Sequence, residues 1–142
     1  SYRTGLELSI SYKFTKHFSL INNSSFNYSR ITEQTEKFSP ILTPPIIINQ
    51  EAVFSKNNLT IALSGRYQHP SFIDFANEEK VNSYFLLNSR VSYSFKGIQF
   101  SVFLNNITNT KYFNQGYVDF DGSNKFFVQA PTNFYASIQY SF

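Results

Sequence analysis

The sequence predicts an all-β protein built of antiparallel transmembrane β-barrel strands. Three observations carry this. Apolar residues recur at every second position along most of the chain. The alternating runs are long. Short and long connections between them take turns, the pattern of a membrane barrel with tight turns at one rim and large loops at the other. Composition agrees: 19% of the residues are aromatic, with 17 Phe and 10 Tyr, and such residues favour strands.

In the first run Leu6, Leu8, Ile10, Tyr12 and Phe14 share one phase, and Glu7, Ser9, Ser11 and Lys13 take the other. The second places Phe18, Leu20, Phe26 and Tyr28 in one phase, diluted there by Asn22 and Ser24. The third, from Ile46 to Phe54, is weaker, because Ile47 and Val53 populate its polar phase. The fourth sets Leu59, Ile61, Leu63 and Tyr67 against Thr60, Ser64, Arg66 and Gln68. The fifth sets Phe85, Leu87, Val91, Tyr93 and Phe95 against Asn88, Arg90, Ser92 and Ser94. The sixth sets Ile98, Phe100, Val102 and Leu104 against Gln99, Ser101 and Asn105. The last sets Phe134, Ala136, Ile138, Tyr140 and Phe142 against Tyr135, Ser137, Gln139 and Ser141. These are about seven strands of roughly 9–11 residues, the length a tilted strand needs to cross a bilayer. Strands of soluble proteins are nearer ~5–6 residues.

Thr15–His17, Ser55–Asn58 and Lys96–Gly97 read as tight turns, and Arg30–Pro45, His69–Ser83 and Asn109–Asn133 as long loops. No apolar phase holds a charged residue: Glu7, Lys13, Glu51, Arg66 and Arg90 all fall in the opposite one. A Lys or Arg facing lipid at mid-membrane costs about 2–4 kcal/mol, whereas a lumen is wet. A soluble antiparallel sheet with one core face gives the same alternation. Strand length and the gathering of every long loop at one end favour the membrane. With short turns on the periplasmic side, the last strand ends at the periplasm and the chain begins at the outer side.

Other classes lose support. No stretch of about 18 apolar residues makes a membrane-spanning helix. The net charge of +3 is mild and its basic residues are scattered, so no nucleic-acid partner is expected. Without Cys there is no disulfide and no thiolate site. The chain opens at once in a strand pattern, SYRTGLELSISYKF, which reads as a processed chain or an internal fragment.

The stretch SVFLNNITNTKYFNQGYVDF resembles the penultimate strand of TonB-dependent receptors. Asn105, Asn106, Ile107, Thr108 and Asn109 stand at the family's turn, with Lys111, Tyr112, Gly116 and Tyr117 after it. The ending FFVQAPTNFYASIQYSF is similar to the family's last strand, with Phe127, Gln129, Ala130, Asn133, Phe134 and Phe142 at its marked places. Many members carry Pro-Arg before that strand, and here Pro131 is followed by Thr132. Arg66-Tyr67, the loop from Phe72 to Asn77 and SYFLLNSRVSYSF also resemble the family, while the first fifty residues fit as generic barrel strands. The resemblance implies a barrel of about 22 strands plugged by an N-terminal domain. Residues 1–142 would be its C-terminal part, with the plug and the TonB-contacting segment outside this chain.

The resemblance further implies import of a scarce nutrient: an iron–siderophore complex, haem, a vitamin or a glycan. The implied partners are outer-membrane lipid, the rest of the barrel and its plug, TonB through the plug side, the barrel-assembly machinery and the nutrient. Tyr140 and Phe142 would form the C-terminal assembly signal. The alternative is a passive porin or structural outer-membrane barrel without TonB coupling, and a soluble β-sandwich module stands third.

No catalytic set, cofactor motif or metal spacing appears, so no enzyme, cofactor or metal is expected. His17, in a tight turn, and His69, at a loop mouth, read as surface histidines. Asp74, Glu78 and Glu79 form an acidic loop patch, a solvated loop or a ligand contact. Tyr112, Phe113, Tyr117, Phe120, Phe126 and Phe127 crowd the last long loop. They read either as an interface girdle with loop packing or as contacts to a flat or apolar ligand.

Overall fold

The computed structural model describes residues 1–33 and 36–141. The described residues form β1 (Tyr2–Lys13), β2 (Phe18–Glu33), β3 (Glu36–Phe38), β4 (Ile46–Lys56), β5 (Leu59–Gln68), β6 (Ser71–Phe72), β7 (Lys80–Val81), β8 (Tyr84–Phe95), β9 (Ile98–Asn105), β10 (Phe113–Val118), β11 (Asn124–Val128) and β12 (Asn133–Tyr140). Seven of them make one antiparallel wall in the order β1-β2-β4-β5-β8-β9-β12. Each wall strand pairs with the next one along the chain, so the wall is a meander of the seven predicted strands.

The register shows why the alternation holds across the wall. Directly opposed residues of antiparallel strands share a face. One row of partners runs Phe18–Phe54–Ile61–Val91–Val102–Ala136, apolar in every strand it crosses. A row on the other face runs Ser11–Ile21–Glu51–Ser64–Asn88. A one-residue slip anywhere would exchange these rows and carry Glu51 or Arg66 onto the apolar face.

The weak apolar phases of β2 and β4 have a structural reason. Asn22 and Gln50 are partners on the apolar face. The Asn22 Nδ2 donates to Gln50 Oε1 at 3.1 Å, Ser24 Oγ donates to Asn22 Oδ1 at 2.9 Å, and Gln50 Nε2 donates to the Ile21 carbonyl at 3.1 Å. The polar groups satisfy one another, which is the condition for placing them on an apolar surface. Gly65, in the same row, is overlaid by the Phe85 ring, 3.1 Å from where a Cβ would stand.

The turns at one end are short. Lys96 and Gly97 both have positive φ, 47° and 79°, the two-residue turn whose twist matches that of its strands. A Cβ on Gly97 would also lie 2.9 Å from the Ser141 carbonyl oxygen. The long connections at the other end are partly folded. β3 pairs with the end of β2, β6 with β7 and β10 with β11.

The wall has no conventional core. Among the described residues the buried hydrophobic side chains are Ala62, Ile73, Val81, Tyr84 and Leu86. The chain exposes 10082 Å² at 16.5 kDa, against about 7,600 Å² for a soluble monomer of that mass. The apolar face contributes to this excess: Leu6, Ile10, Leu63, Phe100 and Ile138 are all exposed on it.

Candidate functional site

The candidate ligand-contacting residues Asp74, Glu78, Glu79, Tyr112, Phe113, Tyr117, Phe120 and Phe126 lie on the connections at the long-loop end. Ile73, Val81, Tyr84 and Leu86 are buried there and anchor the loops to the wall. Tyr84 donates its hydroxyl to Gln68 Oε1 at 2.9 Å, and the same oxygen accepts from Arg66 Nη2 at 3.1 Å. Tyr112 lays its ring against Tyr84, 4.6 Å between centroids. Burial, then the neighbouring Tyr84, raises the Tyr112 phenol above its ordinary value, partly offset by Arg66. It therefore stays a neutral hydrogen-bonding group at physiological pH.

The acidic patch divides by role. Asp74 accepts from the Glu79 amide at 2.9 Å and the Glu78 amide at 3.3 Å, so its carboxylate closes its own loop. Glu79 Oε2 accepts from Asn124 Nδ2 at 2.7 Å, tying this loop to the β10–β11 hairpin. The Glu78 side chain is exposed.

The aromatic hairpin is ordered by its own contacts. Phe113 stacks on Phe126 with centroids 5.0 Å apart, and Tyr117 meets Phe127 at 6.2 Å. Gly116 is buried because a Cβ there would stand 2.9 Å from the Phe126 ring and 2.8 Å from the Lys125 carbonyl oxygen. At the tip, Asp121 Oδ1 accepts from the Ser123 amide at 2.9 Å and its hydroxyl at 2.6 Å. These bonds hold the Asp121 carboxyl below its ordinary range. The turn leaves Phe120 fully exposed, at 109%.

His17 Nδ1 lies 2.9 Å from the Ser55 carbonyl at the short-turn end, far from this site. His69 lies 3.4 Å from the Pro70 carbonyl at the long-loop end. Tyr140 is exposed on the apolar face opposite Ile98, and Phe142 lies outside the described residues.

Two features go beyond the sequence reading, which placed Asn106 only at a family-like turn. Asn106 is 3% exposed with a positive φ of 49°. Its amide donates to Asn88 Oδ1, its Nδ2 to the Thr110 and Ala130 carbonyls, and its Oδ1 accepts from the Thr110 amide. The Thr132 hydroxyl closes the set on its carbonyl. Asn tolerates left-handed backbone better than most residues, which suits it to this corner. The second feature is a stack of Phe103 on Tyr135, 4.4 Å apart and within 9° of parallel, on the polar face beside Arg90. Alternation alone flags apolar phases, and both rings lie in the polar one.

No protein-family model and no curated protein matches the sequence. The fold does match solved structures. The ferric yersiniabactin uptake receptor FyuA from Yersinia pestis superposes with a TM-score of 0.84 at 18% identity, over 99% of this chain. The wall has the fold of the corresponding barrel segment of that receptor. The siderophore receptor PiuA from Acinetobacter baumannii gives 0.77 at 14% identity over 97% of the chain, and the copper transporter OprC gives 0.80 at 13% over 99%. The chain spans 23%, 21% and 24% of those three proteins, so it corresponds to part of such a wall.

Proposed function

We propose that residues 1–142 are the C-terminal wall strands of a TonB-dependent receptor that imports a scarce nutrient across a Gram-negative outer membrane. The observation that carries this is the match of nearly the whole seven-strand wall to uptake receptors, joined to an apolar face that runs across all seven strands. An open sheet cannot sit in lipid, because unsatisfied edge N–H and C=O groups cost several kcal/mol each. The edges β1 and β12 therefore pair with further strands of the complete barrel. The apolar face meets lipid, the polar face lines the lumen and meets the plug, and the C-terminus stands at the periplasm.

In this reading the long-loop end is extracellular. Phe120, Tyr117 and Phe126 on the hairpin, with Glu78, are placed to touch an arriving ligand, and Phe113 supports them. Asp74, Glu79 and Tyr112 shape the loops around them. An iron–siderophore complex is the first candidate, since several of the matched structures are receptors for such compounds. Tyr140 and Phe142 serve assembly, as the aromatic end that the barrel-assembly machinery reads.

Cells carrying the full-length protein should accumulate radiolabelled ferric siderophore from a panel, and lose that uptake when TonB is deleted. Passage of unrelated small solutes that persists without TonB would instead establish a passive porin.

A further inference from the structure

One cavity stands apart from the aromatic hairpin, at the long-loop end of β2. It is about 270 Å³ in volume and lies where β2, the loop before β4 and the β5–β8 connection meet. Arg30, His69 and Lys80 line it, with the hydroxyls of Ser39, Thr43 and Ser71. Among the described residues none of the chain's nine Asp and Glu lines it.

The two permanent cations are held by groups other than carboxylates. The Arg30 guanidinium lies over the Tyr28 ring, 5.1 Å from its centroid, and donates to Ser39 Oγ. The Lys80 ammonium lies over the Phe72 ring at 4.7 Å. Cation–π contact fixes a cation's position and leaves its N–H donors free for an anion. The neighbouring Glu79 is engaged by Asn124 at 2.7 Å. Three prolines in the lining keep the walls preformed, which lowers the ordering cost of binding.

Position narrows the anion. Tyr28 and Arg30 continue the apolar-face phase of β2, opposite Thr4 and Tyr2. They lie just beyond the last fully apolar row, Leu6–Phe26–Ile46. That is the height at which a membrane's aromatic girdle gives way to headgroups.

We propose that this cavity binds a phosphate group, with Arg30 and Lys80 as its charged ligands and the hydroxyls as further donors. A guanidinium fork and an ammonium beside hydroxyls match the geometry and charge of a phosphate monoester. The same chemistry is offered by a phosphorylated glycolipid of the outer leaflet and by soluble phosphate, and the test separates these sources.

The full-length protein, purified in detergent, would be titrated with micelles containing bis-phosphorylated lipid A, with the same micelles after enzymatic dephosphorylation of the lipid, and with inorganic phosphate. Binding would be read by native mass spectrometry and by the shift in melting temperature. The double variant Arg30→Gln/Lys80→Gln should bind the phosphate-bearing probe at least tenfold more weakly. The pair Lys56→Gln/Lys96→Gln removes the same charge at the short-turn end and should bind like wild type. Selective binding of phosphorylated lipid A assigns the site to the lipid. Selective protection by inorganic phosphate assigns it to a soluble ligand. Equal binding of both lipid forms without phosphate protection, or equal loss in both double variants, overturns the proposal. Neither readout requires transport, so the outcome is independent of whether uptake is observed.

Discussion

Leu63 and Ser64 are consecutive on β5 and project to opposite faces, Leu63 between Ala52 and Ser89, Ser64 between Glu51 and Asn88. The two positions make the facing assignment measurable. Leu63→Arg places a cation in lipid at a cost of about 2–4 kcal/mol, while Ser64→Arg meets water and Glu51. In the full-length protein, heat-modifiable gel mobility should show impaired assembly for the first and normal assembly for the second. Equal behaviour would reverse the assignment. The hairpin tip offers a pH prediction. The Asp121 carboxyl is held below its ordinary value of 3.8 by Ser123. A depressed carboxylate stabilises the turn above its ordinary value, and that contribution disappears as pH falls through the lowered folded value. Exchange of the Ser123 amide should accelerate on acidification through that range. Asp121→Asn, which keeps an acceptor but loses the charge, should show no such step.

At the scale of elements, the wall was legible because a period of two is imposed by a single apolar face, and that signal survives in every strand. It weakened in β2, where Asn22 bonds to Ser24 and to Gln50 of β4 on the apolar face, a compensation that only cross-strand register reveals, and in β4, where Ile47 and Val53 lie in the polar phase. The tight turns were legible from Gly97 and Asn57, residue types that accept the positive φ they adopt. The loop hairpins were not. β6 and β7 are two residues each and β3 is three, too short for alternation to register. The aromatic cluster was visible as composition, but its division into stacked pairs and the exposed Phe120 depends on the β10–β11 pairing. Asn106 illustrates the same limit: its sequence context resembled a family turn, and only folding joins β8, β9 and the approach to β12 through it. Asn106→Ala should strand the Thr110 amide and the Ala130 carbonyl, lowering stability by about 2–3 kcal/mol. Urea unfolding of the full-length barrel would measure it. A loss under ~0.5 kcal/mol would mean that water replaces the side chain at no net cost.

For the whole molecule, the decisive property is an apolar surface with nothing of its own to cover it. The 10082 Å² exposed by the chain is a third more than the roughly 7,600 Å² that its mass would leave in a soluble monomer. In the proposed barrel, lipid on one face, a wet lumen on the other and further strands at both edges would together account for that excess. The segment contains no cysteine, so single cysteines can be placed along β5 from Leu59 to Gln68 in a full-length protein otherwise freed of cysteine, and probed in native outer membranes. Labels at Ile61, Leu63 and Tyr67 should be quenched by a lipid-soluble agent and shielded from an aqueous one. Labels at Thr60, Ser64 and Arg66 should show the reverse. An aqueous quencher that reaches every position equally would contradict the barrel-wall account.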